Sequence, residues 1–188
     1  MKVSHGGIAL IVGVVASGAG GVEYLRVGLV EPLVALGHEV AVTLTPTAGR
    51  WLAEIGEVGK LEAVTGLPVR AEPRMPGEPR PHPRPDAYVV APASANTVAK
   101  LALGIGDNQA LSILSESVGS VPMVVFPRVN AAHARHPAWQ SHLSVLRTAG
   151  VQLLYDKDIW PLHEPRSTPD ARPLPWLLIL QAAQQLLS

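Results

Sequence analysis

Residues 92–114 read PASANTVAKLALGIGDNQALSIL, and the apolar run AYVVA at residues 87–91 comes directly before them. The run is short, uncharged and β-branched, which predicts a buried parallel strand that the following proline ends. Ser94, Asn96 and Thr97 are residue types that cap helix N-termini, and apolar residues at helical spacing follow them. The stretch therefore predicts a strand, a tight turn and a helix that starts at the carboxyl end of the strand.

A helix N-terminus in this position can bind an anion, because its unpaired N–H groups and the helix dipole favour negative charge. In open α/β sheets, ligands bind at the carboxyl ends of the strands, and phosphate is a frequent group there. An ordinary capped turn has the same composition, however. Composition alone favours the capped turn, so both interpretations stay open at this point.

The remaining chain repeats the alternation of strand and helix. Strands are expected at residues 7–15, 39–45, 87–91, 121–126 and 151–155. Helices are expected at residues 22–36, from residue 46, through 98–105, at 110–117, at 137–148 and at 176–187. Pro32 should kink the first helix, and Trp51, Leu52 and Ile55 should form the buried side of the second. Asp107 should cap the helix at 110–117. This order predicts one α/β domain over residues 1–188, a three-layer, Rossmann-like, doubly wound parallel sheet of about six strands.

Composition limits the classes of partner. The chain has 47% hydrophobic and only 16% charged residues, which favours apolar surface buried between subunits. Fifteen basic residues balance fifteen acidic ones, so no net charge argues for nucleic acid or an anionic membrane. No stretch is long and apolar enough to span a bilayer. The apolar N-terminal run is interpreted as a buried strand and not as a signal peptide. These two interpretations favour a cytoplasmic protein. The absence of cysteine means that any thiol chemistry involves the substrate.

The loops after the predicted strands should gather at one edge of the sheet, at residues 16–21, 45–48, 92–97 and 127–130. The first of them, ASGAGG, contains glycines that allow a phosphate to approach the backbone closely. Its spacing is not that of a dinucleotide fingerprint, so the turn is a weak signal by itself. No metal-ligand spacing and no serine triad stands out.

The motif PASANT, together with Lys100 and GIGDN at residues 104–108, resembles the signature of the homo-oligomeric flavin-containing cysteine decarboxylases. This flavoprotein family includes phosphopantothenoylcysteine decarboxylases and the peptidyl-cysteine decarboxylases of lantibiotic maturation. A weaker resemblance extends from about Gly7 to about Tyr155. It implies FMN as the cofactor, a homo-oligomer (a trimer or dodecamer), and a cysteine-containing peptide or small thiol as the substrate.

The resemblance also implies which residues contact the flavin. The implied cofactor-binding residues are Ser17, Gly18, Thr45, Thr47, Ala93, Ser94, Ala95, Asn96, Thr97, Arg128 and Val129. Either threonine can equally be an N-cap with no ligand. A second family motif reads proline, any residue, methionine, asparagine; Val129 replaces the methionine here, while Asn130 is retained as a candidate catalytic residue.

The catalytic histidine of the family stands about fourteen residues before the proline of PASANT, and Glu78 occupies that position here. The nearest histidine is His82, within the proline-rich segment EPRMPGEPRPHPRP at residues 72–85. It can substitute only if that segment is reshaped, and an exposed loop histidine is the preferred interpretation. The segment itself either reaches over a ligand or a neighbouring subunit, or is a solvated connector. His133 is a second candidate base, although histidines at helix starts are often structural.

Two functions therefore remain. The first is an FMN-dependent decarboxylase or oxidoreductase that acts on a cysteine-containing peptide or small thiol, in which the flavin takes up electrons and loss of CO₂ gives an enethiol. The alternative is a flavin-binding carrier, partner or sensor that has lost this catalysis.

Overall fold

The computed structural model describes residues 9–167 and 172–187, which form a parallel sheet with helices on both faces. The strands are β1 (Ile11–Ala16), β2 (Glu39–Leu44), β3 (Ala87–Ala93), β4 (Met123–Pro127) and β5 (Gln152–Leu153). All neighbours pair in parallel, and the spatial order is β2-β1-β3-β4-β5. The order reverses between β1 and β3, which is where open α/β sheets bind ligands.

The helices complete the alternation. They are α1 (Glu31–Ala35), α2 (Pro46–Glu54), α3 (Glu57–Thr65), α4 (Ala95–Ala102), α5 (Gln109–Ser117), α6 (Ala131–Ala134), α7 (Trp139–Thr148) and α8 (Trp176–Leu186). A 3₁₀ turn (Val22–Tyr24) and a π-helical turn (Arg26–Val30) precede α1, so the predicted helix at 22–36 is not one regular helix. Pro32 lies in the first turn of α1, where its missing N–H costs nothing.

Each face of the sheet has its own core because side chains alternate along a strand. In β3, Val89 and Ala91 pack with helices α1, α2, α3 and α8 on one face. Tyr88 and Val90 pack with α4, α5 and α7 on the other. The prediction of a three-layer, doubly wound parallel sheet is confirmed.

The sheet has five strands in the described part of the chain, not about six. Beyond β2 there is only a bridge at Arg70, whose N–H donates to Val42 O at 3.0 Å and whose carbonyl accepts from Leu44 N at 2.6 Å. The proline-rich segment that soon follows has too few N–H groups to extend this pairing into a ladder.

Local details at the central motif also differ from the prediction. Pro92 was expected to end the strand but lies within β3, where its carbonyl accepts hydrogen bonds from the neighbouring loop. Asn108, not Asp107, caps α5, because its Oδ1 accepts from the backbone N–H of Leu111 at 3.0 Å. Asp107 instead pairs with Lys100. Both Asp107 and Asn108 are capping residue types, and the backbone conformation at the start of α5 decides which of them caps the helix. The sequence does not reveal that conformation.

The burial predicted for α2 and the end of α4 is partly wrong. Leu52 is buried, but Trp51 is 48% and Ile55 51% exposed, and Ile105 lies beyond the end of α4 and is also exposed. Helix α2 ends at Glu54 and α3, which was not predicted, follows after Gly56. The short α2 therefore buries a narrower stripe than the pattern suggested.

The segment after β5 contacts the domain through Trp160, His163 and Glu164. Ala131 N donates to His163 O at 2.9 Å, and Arg135 pairs with Glu164, with Nη2 and Oε2 2.8 Å apart. Trp160 is buried against Phe126, with ring centroids 6.0 Å apart. This segment therefore places the Trp160 ring against the carboxyl end of β4.

Candidate functional site

The four predicted loops meet at the carboxyl edge of the sheet, around the reversal between β1 and β3. Three backbone hydrogen bonds join them: Thr45 N to Ala16 O at 2.9 Å, Ser17 N to Pro92 O at 2.9 Å, and Arg128 N to Ala93 O at 2.8 Å. Because each bond links a different pair of loops, the loops form one connected rim. The convergence predicted from the strand order is therefore present in the structure.

Ser17 links the turn after β1 to the start of α4. Its side chain is 2% exposed; its Oγ donates to Pro92 O at 2.8 Å and accepts from Ser94 N at 2.7 Å. The hydroxyl is thus occupied mainly in holding two loops together. Its direct contact with a ligand stays a prediction.

The helices that begin at this edge differ in how their N-termini are satisfied. At α4, Ser94 Oγ accepts from Thr97 N at 3.3 Å and lies 3.1 Å from Thr97 Oγ1. At α2 no side chain caps the helix, and the hydroxyls of Thr45 and Thr47 have no hydrogen-bond partner among the described residues. Unpaired N–H groups of a first helical turn bind anions. The start of α2 is therefore the more open anion site of the two.

The turn after β1 packs directly on the start of α2. A Cβ on Gly18 would lie 2.5 Å from Thr47 Cγ2, so only glycine allows this approach. At Gly20 a Cβ would meet nothing within 4 Å, which leaves the rest of the turn open. Close backbone approach next to an uncapped helix is the geometry that phosphate sites use.

The PASANT turn presents one free polar side chain. Asn96 is exposed and its amide makes no hydrogen bond with the described residues. Ala93 and Val129, two of the implied cofactor-binding residues, are almost fully buried in the core beneath the turn. Ala95 is half-buried, so among these three only Ala95 offers accessible apolar side-chain surface.

Two arginines stack on Trp160 at the carboxyl end of β4. The guanidinium carbon of Arg128 lies 4.6 Å and that of Arg172 3.9 Å from the ring centroid. Arg128 Nε is buried with no hydrogen-bond partner, and neither arginine forms an ion pair with a described residue. Burial, and then the charge of Arg172, lower the pKa of Arg128 from its usual high value. Two unneutralised cations on one ring favour an anion at this edge.

Sequence reasoning did not find Trp160 or Arg172. Both lie far along the chain from the motif loops, in a segment whose only signals were prolines and polar residues. A lone tryptophan in such a segment is the one sign that it docks on the domain, because tryptophan side chains are highly buried on average.

Asn130 and His133 form a local cap. Asn130 Oδ1 accepts from His133 N at 2.9 Å, while its amide nitrogen has no partner in the described part of the chain. The His133 ring is exposed. Asn130 therefore retains a donor at the rim, whereas the role of His133 as a base stays a prediction.

His82 lies elsewhere. It is half-buried, its Nε2 donates to Pro68 O at 2.6 Å, and burial, then the charge of Arg70, lower its pKa. The cavity that it lines contains no residue of the four rim loops. The structure does not bring His82 and Asn130 together, and Glu78, at the family's histidine position, is exposed. His82 as a catalytic group stays a prediction without support from this geometry.

Residues 9–167 and 172–187 contain neither a candidate metal site nor a helix that could cross a membrane. No group of three histidine, cysteine, aspartate or glutamate side chains is placed to hold a metal ion. None of the helices in these ranges has the length and apolar character needed to cross a membrane.

Comparison with known proteins gives a consistent result. The family model described as Flavoprotein matches residues 4–173. A probable phosphopantothenoylcysteine decarboxylase of Streptococcus mutans is 27% identical over 140 residues, which are 71% of this chain and 76% of that protein. A cysteine/cysteine sulfinic acid decarboxylase from an unknown prokaryotic organism is 36% identical over 69 residues, but the match spans 37% of this chain and only 19% of that longer protein.

One solved structure shows the same fold over nearly its whole length. It is that of TvaF, an FMN-dependent cysteine decarboxylase from thioviridamide biosynthesis, with a TM-score of 0.71 and 24% identity. The match covers 95% of this chain and 98% of that one.

Proposed function

This chain belongs to the flavoprotein family, which confirms the resemblance seen in its sequence, and on that basis we propose that it binds FMN at the rim described above and decarboxylates a C-terminal cysteine or a related thiol. The observation that carries the proposal is the connected rim at the strand-order reversal, with its uncapped helix and unpaired polar groups. The TvaF structure, from an FMN-dependent cysteine decarboxylase with this fold, supports it.

The residues present fit an FMN molecule. The start of α2, with Thr45, Thr47 and the close approach of Gly18, would hold the phosphate. The exposed amide of Asn96 would pair with a polar edge of the ring system. The buried, unpartnered Nε of Arg128 matches a ligand that brings an acceptor to this place.

The chemistry divides between the cofactor and the chain. FMN, when bound, would supply a two-electron acceptor for the oxidation of the cysteine side chain, after which loss of CO₂ would leave an enethiol. Arg128, charged at neutral pH, would hold the anionic carboxylate of a substrate or the phosphate. The free amide nitrogen of Asn130 would donate a hydrogen bond that orients the substrate.

A second candidate function rests on one observation. Glu78 stands where the family has its histidine, and His82 lies in another cavity. A flavin-binding carrier, partner or sensor without decarboxylase activity needs the rim but not the histidine.

In either case we propose a homo-oligomer, a trimer or dodecamer, which the exposed apolar side chains Trp51 and Ile55 support.

An anaerobic assay separates the two functions. The purified protein is expected to be yellow, or to become so with added FMN, and a peptide ending in cysteine should bleach the flavin while losing CO₂ and two hydrogens by mass. A yellow protein that leaves the peptide unchanged supports the carrier or sensor. Absence of FMN binding overturns both, and a monomeric mass in light scattering of the same sample contradicts the oligomer.

Asn96→Leu is expected to weaken FMN binding about tenfold, because a polar edge of the flavin then lies against an apolar side chain. Stability should stay unchanged, since Asn96 is exposed and makes no hydrogen bond with the described residues. Titration of apo-protein with FMN measures the effect. Gln181→Leu, on the exposed side of α8, is the control and should bind as the wild type does. Equal affinity of all three proteins would show that PASANT is only a capped turn.

A further inference from the structure

The proline-rich segment at residues 72–85 borders a second cavity, which is partly open to solvent. Together with α5 it lines a volume of about 460 Å³ above Gly13, Ala41 and Thr43, on the sheet face that carries α4, α5 and α7. This volume falls in the range of small-molecule sites, about 300–1,000 Å³. None of its lining residues belongs to the four rim loops, so the cavity is separate from the proposed flavin site.

The cavity concentrates positive charge. Arg70, Arg74, Arg80 and Arg84 line it, and Glu116 is the one acidic residue in its lining among the described residues. None of these five side chains forms an ion pair with another described residue. Four arginines and one glutamate give the lining a formal charge of about +3, and burial lowers the pKa of His82 beside them. The chain as a whole is neutral, so this lining is more positive than the average of the chain.

The arginines retain free donors that point to a ligand. Arg80 and Arg84 make no hydrogen bond with described residues, and Arg70 and Arg74 each use one N–H on a nearby backbone carbonyl. The floor adds a hydroxyl, because Thr43 is buried and its Oγ1 has no partner among the described residues. A guanidinium has five N–H donors, so several remain for carboxylate or phosphate oxygens.

The backbone that carries these arginines has little conformational freedom even without a ligand. Six prolines within residues 72–85 restrict the backbone, and the segment makes one turn at Gly77, where Glu78 N donates to Met75 O at 3.1 Å. Three hydrogen bonds fix the segment at its ends and middle: Arg70 N to Val42 O at 3.0 Å, His82 Nε2 to Pro68 O at 2.6 Å, and Asp86 N to Ile11 O at 2.8 Å. A restricted frame lowers the entropy lost on binding.

We propose that this cavity binds a small polyanion, a compact molecule with two or more carboxylate or phosphate groups. Its volume fits a compact ligand and not an extended one. The proposal does not rest on FMN binding, because the two sites share no lining residue.

Calorimetric titration of the full chain with citrate and with pyrophosphate at low ionic strength tests the proposal. Saturable binding is expected for at least one of them, with acetate showing none. Arg80→Gln/Arg84→Gln should weaken binding by at least about tenfold, because two charged donors are lost. Added salt should weaken binding to the wild type.

Matched controls keep the result specific. Arg50→Gln/Arg147→Gln removes the same charge from two exposed arginines outside the cavity and should leave binding unchanged. Thermal unfolding without ligand should be the same for both double variants, and FMN affinity should be unaffected by the cavity variant.

Other outcomes overturn the proposal. No saturable binding by the wild type, or equal weakening in both double variants, would mean that the arginines are only a solvated surface. Binding of an acidic peptide but of neither small anion would assign the cavity to a protein partner. A change of mass in light scattering with Arg80→Gln/Arg84→Gln would assign it to an interface between copies, and lost FMN affinity would assign it to the flavin.

Discussion

Phe126→Ala is expected to lower the free energy of unfolding by about 3–5 kcal/mol, the typical cost of removing a buried phenylalanine ring. Phe126 is 1% exposed in β4 and makes an edge-to-face contact with Trp160. Its removal leaves a cavity beneath the strand end that carries Arg128, and Trp160 loses the contact that holds its ring. Urea denaturation followed by circular dichroism measures the change.

The matched control is Phe126→Leu, which fills much of the same volume and should cost less than about 1.5 kcal/mol. Because the Trp160 ring positions Arg128, Phe126→Ala should also weaken FMN binding at a temperature where the variant stays folded. If alanine and leucine shift the urea midpoint equally, Phe126 does not fill the core as the structure indicates.

Ser17→Ala is expected to lower the free energy of unfolding by about 1–3 kcal/mol. The serine hydroxyl accepts from Ser94 N at 2.7 Å and donates to Pro92 O at 2.8 Å in a buried place. Pro92 O still accepts from Ser17 N after the change, so the penalty falls mainly on the Ser94 N–H, which loses its acceptor. The loop after β1 is then held less firmly to α4, and FMN affinity should fall as well.

Thr45→Val is the informative comparison. Its hydroxyl has no partner among the described residues, so its removal should cost no stability, whereas FMN affinity should fall if the hydroxyl binds the phosphate. Thermal unfolding and FMN titration of both variants separate a structural role from a binding role. A loss of stability with Thr45→Val as large as with Ser17→Ala would contradict these assignments.

The sequence alone was sufficient for the strand and helix alternation, because short β-branched runs such as AYVVA and capping residues such as Ser94 act locally. Ser94 is the N-cap of α4 as predicted, and the loops after the strands converge as the parallel order requires. The family was likewise recognisable from the PASANT motif, since its unusual residues are contiguous.

Only the tertiary structure decided which polar groups at the rim are already occupied. Ser17 bonds to Pro92 and Ser94, residues more than 70 positions away in the chain, while the hydroxyls of Thr45 and Thr47 remain unpaired. Hydrogen bonds between distant residues depend on how the strands are ordered, so residue type does not reveal them.

The charged features depend on the fold in the same way. Arg128 and Arg172 reach one indole from separate segments, and four arginines of the proline-rich region surround one cavity away from the motif. Local patterns determined the elements of this protein and its family, because they depend on neighbours in the chain. The distribution of buried charge and free donors was decided by tertiary structure, because it depends on side chains that only folding brings within a few ångströms of each other.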